Sequence, residues 1–176
     1  MPDRATAKLR VAANLIVGRD GSTSLGGSSA GLSFPADRQR FHELRQEFSA
    51  ILIGGNTARN EPYANTPLPL IVLTHEPLPT RLRRNSKAMA WNLPLATAVA
   101  RAEDQFGDLL FECGPALLRQ AIAEGLIHEL YLTIAEKSGG EGAIDLSELT
   151  RGAIELSNEL VAGGQFLHYR LAPSHD

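Results

Sequence analysis

The sequence predicts an α/β fold built on a mostly parallel sheet with an antiparallel edge. Three observations carry this reading. Apolar runs of strand length alternate with segments of helical period, the pattern of βαβ units. Several of the strand-like runs end in glycine or a glycine-rich loop. The chain then closes on two strand-like runs around Ala162-Gly163-Gly164, a hairpin signature. At 176 residues it has the length of one domain with one core, and residues 1–176 are read as such, with flexible ends at 1–7 and 172–176 where apolar anchors are few.

Leu9 to Val17 reads LRVAANLIV, a strand; Gly18 to Gly31 is rich in glycine and serine and reads as a loop. Ser33, Pro35 and Asp37 are helix-start signals, and Phe41, Leu44 and Phe48 recur at helical spacing over about three turns. Ala50 to Ile53 is a short buried strand followed by Gly54-Gly55, and Leu70 to Thr74 is another, flanked by prolines. Leu78 to Asn92 has no clear period. Leu95 to Ala102 reads as helix and Asp108 to Glu112 as strand. After Gly114-Pro115, the residues Leu117, Leu118, Ala121 and Ile122 share a helical face that Gly125 terminates. Glu129 to Ala135 alternates as a half-buried strand, and the runs 153–160 and 165–171 form the terminal hairpin.

The composition excludes several classes. Net charge is −3, which argues against nucleic acid as a partner, since phosphate binding needs a basic face. Cys113 is the one cysteine, so neither an intrachain disulfide nor a cysteine zinc cluster is available. The five histidines fall at no metal-ligand spacing. No apolar run approaches the roughly 18 residues of a membrane span, and the first residues lack the apolar core of a signal peptide. The expectation is a soluble cytoplasmic protein.

Three glycine-rich junctions follow strands, where open α/β sheets bind their ligands. These are Gly18 to Ser29, Gly54-Gly55-Asn56-Thr57, and Glu112-Cys113-Gly114-Pro115. In the third, glycine lets a phosphate approach the backbone, and the following helix offers free N–H groups on Gly114, Ala116, Leu117 and Leu118. In the second, backbone N–H groups and the Thr57 hydroxyl could hold a pyrophosphate or a carboxamide. Ordinary strand–helix and strand-end turns fit both junctions equally well. Arg81, Arg83 and Arg84 form a basic cluster that could meet a 2′-phosphate or simply be a solvated loop; Thr74 and His75 at a strand end are further candidates.

The run Asp20-Gly-Ser-Thr23, Gly26-x-Ser-Ser29, Pro35-Ala-Asp37, Leu44-Arg45, then Ala50-Ile-Leu-Ile-Gly-x-x-Thr57-x-x-x-Glu61, resembles the start of the reductase domain of riboflavin biosynthesis. Leu110-Phe-Glu112-Cys-Gly114-Pro115, followed by Gly125 through Ala135-x-Lys137, is similar to that family's second signature. Ala13-Asn14 and Asp20-Gly21 stand at the spacing of its short members without a deaminase domain. The resemblance implies a dihydrofolate-reductase-like three-layer fold with helices on both sheet faces, an NADPH cofactor and a homodimer, with the terminal hairpin as a candidate pairing edge. Departures from the family pattern are Gly18-Arg19 before Asp20, Cys113 for glycine, Glu136 for proline, a short segment between Pro62 and Glu112, and no cation in Tyr63 to Pro67.

The same resemblance implies roles. Ile16, Gly31, Thr57, Glu61 and the stretch from Gly114 through Gln120, including Pro115, Ala116, Leu117 and Leu118, match cofactor contacts. Gly54, Gly55 and Thr74 join them from the loop readings above. Ser29, Arg45 and Glu112 match substrate contacts; a capping or ion-pair role for Glu112 and a solvated role for Arg45 fit the residues alone. Asp20 and Glu112 are the candidate catalytic groups, as holders of a proton-donating water. The implied activity is reduction of 5-amino-6-(5-phosphoribosylamino)uracil. Two other readings stay open: a same-fold reductase of another small carbonyl or pterin-like compound, and a non-catalytic nucleotide-binding relative.

Overall fold

The computed structural model describes residues 9–172. The ends expected to be flexible lie outside them, save for Ala172, which is exposed. Strands β1 (Val11–Val17), β2 (Ala50–Gly54), β3 (Leu70–Leu73), β4 (Ala88–Trp91), β5 (Leu109–Phe111), β6 (Glu129–Ala135), β7 (Ile154–Val161) and β8 (Gly164–Arg170) form one sheet in the order β4-β3-β2-β5-β1-β6-β8-β7. The pairs from β4 through β6 are parallel, and β8 pairs antiparallel with both β6 and β7. This is the α/β fold with a late antiparallel hairpin that the sequence predicts.

The parallel strands are apolar on both faces because helices cover both. Helices α3 (Leu95–Phe106) and α4 (Pro115–Ala123) pack one face. Leu95, Ala98, Val99 and Ala102 form the buried stripe of α3, and with Leu118 and Ala121 they meet Val11, Ala13, Leu52 and Phe111 of the sheet. Helices α1 (Pro35–Gln46) and α2 (Gly55–Asn60) lie on the other face. There Leu44 and Phe48 meet Ala12, Leu110 and Tyr131, while Ala58 meets Ile51, Ile53, Leu70 and Val72. A further short helix, α5 (Leu146–Leu149), is capped by Asp145, whose carboxylate accepts from the Ser147 and Glu148 N–H groups.

Three expectations change. Gly55 to Asn60 is helix α2 and not a bare turn. Phe41 leaves the core stripe of α1 and turns toward a cavity described below. The stretch without clear period holds β4 and a single 3-10 turn over Thr80–Leu82. Parallel neighbours need a crossover, usually a helix; between β3 and β4 that one turn, anchored by fully buried Leu82, does the work. This is the physical form of the short segment between Pro62 and Glu112.

Candidate active site

A cavity of about 460 Å³ opens at the carboxyl ends of β1, β2 and β5, where the loops of a parallel sheet diverge. Asn14 and Ile16 of β1, with Glu112 and Cys113 just past β5, line its floor. Arg38, Phe41, His42 and Arg45 of α1 form one wall; Asn56, Thr57 and Asn60 of α2 form another. Ser29, Glu61, Gly114 and Pro115 complete the rim.

The strongest electrostatic feature is an ion pair on the floor. Arg45 Nε and Nη2 donate to Glu112 Oε1 and Oε2 at 2.9 and 2.7 Å. The side chains are 11% and 3% exposed, so this is a buried, bidentate pair. Tyr63 Oη donates to the same Glu112 Oε2 at 2.7 Å. Burial, then the adjacent Glu112 charge, push the Tyr63 phenol well above its ordinary range. The Arg45 guanidinium lies over two aromatic rings, 4.0 Å from the Phe41 centroid and 5.3 Å from the Tyr63 centroid, so both π-faces attract its charge. Arg45 thus lines the cavity while its guanidinium is held by Glu112, and the solvated reading of this residue is set aside.

Glu61 performs a different task from the floor carboxylate. Its oxygens accept from the Ser29 N–H at 2.9 Å and the Ser28 hydroxyl at 3.0 Å, fastening the 3-10 turn Ser29–Gly31 to the end of α2. Lys137 Nζ donates to the carbonyls of Gly31 and Ser33 at 2.8 and 3.0 Å and holds the far side of the same turn. Gly31 is a packing glycine: a Cβ there would meet the Leu25 carbonyl at 2.0 Å.

Gly114 is of another kind. A Cβ built on it would meet nothing within 4 Å, so no protein atom fills the space beside it. It caps α4 without a side-chain partner, and Pro115 at the first helical position has no N–H to satisfy. Among the described residues the N–H groups of Gly114, Ala116 and Leu117 have no acceptor. The Leu118 N–H is already spent on the Gly114 carbonyl at 3.1 Å, which corrects its expected availability. Gly54 lies against this first turn of α4, its would-be Cβ 3.3 Å from Leu117 Cδ2, and Gly55 packs on Thr74. Open space beside a glycine, free N–H groups and two helix starts side by side fit the phosphates of a dinucleotide. Gly114, Ala116 and Leu117 would hold them, with Thr57 facing the same space.

Of the predicted residues, Ile16, Ser29, Arg45, Thr57, Glu61, Glu112, Gly114 and Pro115 meet at this cavity. Asp20, Gly31, Gly54, Gly55, Thr74, Ala116, Leu117 and Leu118 do not line it. Asp20 is a loop clasp: its carboxylate accepts from the Gly139 N–H at 2.7 Å and from the Ser22 hydroxyl at 2.7 Å, contacts that lower it to about 2. Arg81 and Arg83 spend donors on the backbone carbonyls of Glu61 and Leu78, outside the cavity. Sequence reasoning missed Tyr63, Arg38, His42 and the place of Asn14. For Tyr63 a signal existed: an aromatic residue with a polar tip in a proline-flanked loop just after Glu61. Burial raises the Cys113 thiol to about 12, so it stands on the floor as an uncharged filler.

Residues 10–151 match the family described as the RibD C-terminal domain. The chain belongs to that family. This RibD C-terminal domain also shares its fold with solved structures. One is a pyrimidine reductase-like protein from Corynebacterium diphtheriae, at 21% identity and a TM-score of 0.76, covering 93% of this chain and 92% of that one. Another is RibD of Acinetobacter baumannii, at 18% identity and a TM-score of 0.75, where 93% of this chain spans 58% of the other. Dihydrofolate reductase from Enterococcus faecalis, solved with NADP(H), aligns at 15% identity and a TM-score of 0.68 over 92% and 95% of the two chains. The expected dihydrofolate-reductase-like architecture is thus present. No curated protein matches the sequence. No helix among the described residues is long and apolar enough to cross a membrane.

Proposed function

We propose that this RibD C-terminal domain is an NADPH-dependent reductase that converts the ribosyl C1′ carbonyl of 5-amino-6-(5-phosphoribosylamino)uracil to the ribityl alcohol. The observation that carries the reading is the open space at Gly114 beside the fixed carboxylate of Glu112 in one cavity. When bound, the nicotinamide supplies the hydride. The residues supply binding and orientation: Gly114, Ala116 and Leu117 offer N–H groups to the pyrophosphate, and Glu112 accepts N–H donors of the pyrimidine. Arg45 and Tyr63 keep Glu112 aimed, and the turn fastened by Glu61 roofs the site. Hydride addition to a carbonyl requires a proton at its oxygen. Asp20, committed to its loop, does not supply it.

The test is NADPH oxidation followed by absorbance with that substrate. Saturable, substrate-dependent oxidation is expected. NADPH binding without oxidation would favour the second reading, reduction of another small carbonyl or pterin-like compound. That reading draws on Tyr63, which occupies the loop where a phosphate-binding cation is expected and whose hydroxyl is taken by Glu112.

We also propose a homodimer through β7. It is the sheet edge, and Ile154, Leu156 and Leu160 on it are 58%, 41% and 82% exposed. Leu160→Lys should shift the mass measured by light scattering from dimer to monomer; an unchanged mass, or a monomeric wild type, would contradict this.

A further inference from the structure

The charged side chains lining the cavity are Asp37, Arg38, Arg45, Glu61 and Glu112, and all but one are committed. Arg45 and Glu112 hold each other, and Glu61 fastens the Ser29–Gly31 turn. The Asp37 carboxylate accepts from the Ser33 hydroxyl at 2.6 Å, and its charge is balanced by Arg40. Arg38 is the exception. It is exposed, and among the described residues its guanidinium makes no hydrogen bond and no ion pair.

Arg38, His42 and Arg45 stand at i, i+4 and i+7 on α1, which places them on one stripe of the helix. That stripe lines the cavity. At 1.5 Å of rise per residue, Arg38 lies about 10 Å along the helix from Arg45, the residue that marks the place of Glu112. His42 stands between them, its ring edge-on to Phe41 at 5.8 Å between centroids and without a hydrogen bond among the described residues. A pyrimidine held at Glu112 and carrying an extended five-carbon chain with a terminal phosphate covers that length. Tyr63 to Pro67 contain no cation, and Arg81 donates to the Glu61 carbonyl outside the cavity. Among the lining residues, Arg38 is therefore the one uncommitted cation that a phosphate could meet.

We propose that Arg38, with His42, is the anion subsite of the cavity and takes the phosphate at the end of the substrate's sugar chain. The guanidinium offers paired N–H donors to two phosphate oxygens, and the His42 ring offers one more N–H. The cation that the loop after Glu61 lacks is supplied from α1. The assignment deepens the reductase reading, on which it rests for the pyrimidine end of the ligand.

The experiment is titration calorimetry with 5-amino-6-(5-phosphoribosylamino)uracil and with the same compound lacking its phosphate. Wild type should prefer the phosphorylated compound by about tenfold or more. Arg38→Gln should remove most of that preference, and Arg38→Lys should keep part of it as a point charge. The unphosphorylated compound should bind all three proteins alike. His42→Phe, which keeps a ring beside Phe41, should lower the preference by about threefold. Both residues are exposed, so these variants should unfold as wild type does. Added salt should erode the preference in wild type and not in Arg38→Gln. A preference within about twofold of wild type in Arg38→Gln, or a wild type that binds both compounds alike or neither, overturns the assignment. A preference lost in Gly114→Ala and kept in Arg38→Gln also overturns it, by putting the phosphate on α4. Failure of the reductase reading is seen separately, as a wild type that binds no NADPH.

Discussion

Arg45 and Glu112, 67 residues apart in the chain, meet in a two-pronged ion pair at 2.9 and 2.7 Å on the floor of the cavity. Burying two charges gains little by itself, but removing one partner strands the other. Glu112→Ala should therefore destabilise the protein by about 3 kcal/mol or more in denaturant unfolding. Adding Arg45→Ala to it should recover part of that loss, which a double-mutant cycle measures. Strictly additive losses would show that the pair contributes nothing.

Tyr63→Phe keeps the ring in its pocket with Ile51, Ile53 and Leu70 and removes one hydrogen bond to Glu112. A stability loss of about 1–3 kcal/mol is expected, because the bond goes to a charged group. The substrate KM should rise more than kcat falls, since Tyr63 acts by orienting Glu112. Wild-type values of stability and KM together would remove Tyr63 from the site.

Gly31 and Gly114 should respond oppositely to alanine. At Gly31 a Cβ collides with the Leu25 carbonyl at 2.0 Å, so Gly31→Ala should lower the thermal midpoint by many degrees. At Gly114 a Cβ meets nothing within 4 Å, so Gly114→Ala should unfold within about 0.5 kcal/mol of wild type yet bind NADPH more weakly. Equal NADPH affinity would mean that the space beside Gly114 is not the phosphate site.

Asp20 should set part of the acid stability. Its carboxylate is lowered from 3.8 to about 2 by the Gly139 N–H first and then by Ser22. A carboxylate lowered in the folded state stabilises it above the unfolded value, and that contribution fades as pH falls from about 4 toward 2. Asp20→Asn should flatten the stability profile in that window and leave it parallel to wild type above pH about 5. A variant profile as steep as wild type between pH 4 and 2 would show that the clasp is not formed.

The fold was largely legible. Runs such as Ala50 to Ile53 and Leu109 to Phe111 are apolar because helices cover both their faces, and that dictates strand. β4 was not, because it sits at the sheet edge, where Ala88 and Met89 are only partly covered and Ala90 is exposed, so no burial pattern marks them. α2 was hidden because a helix that starts on glycine carries a turn signal. In the site, the identity of Glu112 and Arg45 was readable but their pairing was not. It depends on α1 lying over β5, and Tyr63 joins from 49 residues away. Asp20 looked catalytic for the converse reason: an aspartate that clasps a loop and one that faces a ligand look alike until the loop is folded.

The most direct test of the central claim is a calorimetric titration of the wild-type protein with NADPH and, in parallel, NADH. Micromolar binding that prefers NADPH and weakens in Gly114→Ala is the predicted result. A wild type that binds neither nucleotide at millimolar concentration would contradict the reductase reading and leave the cavity to another ligand.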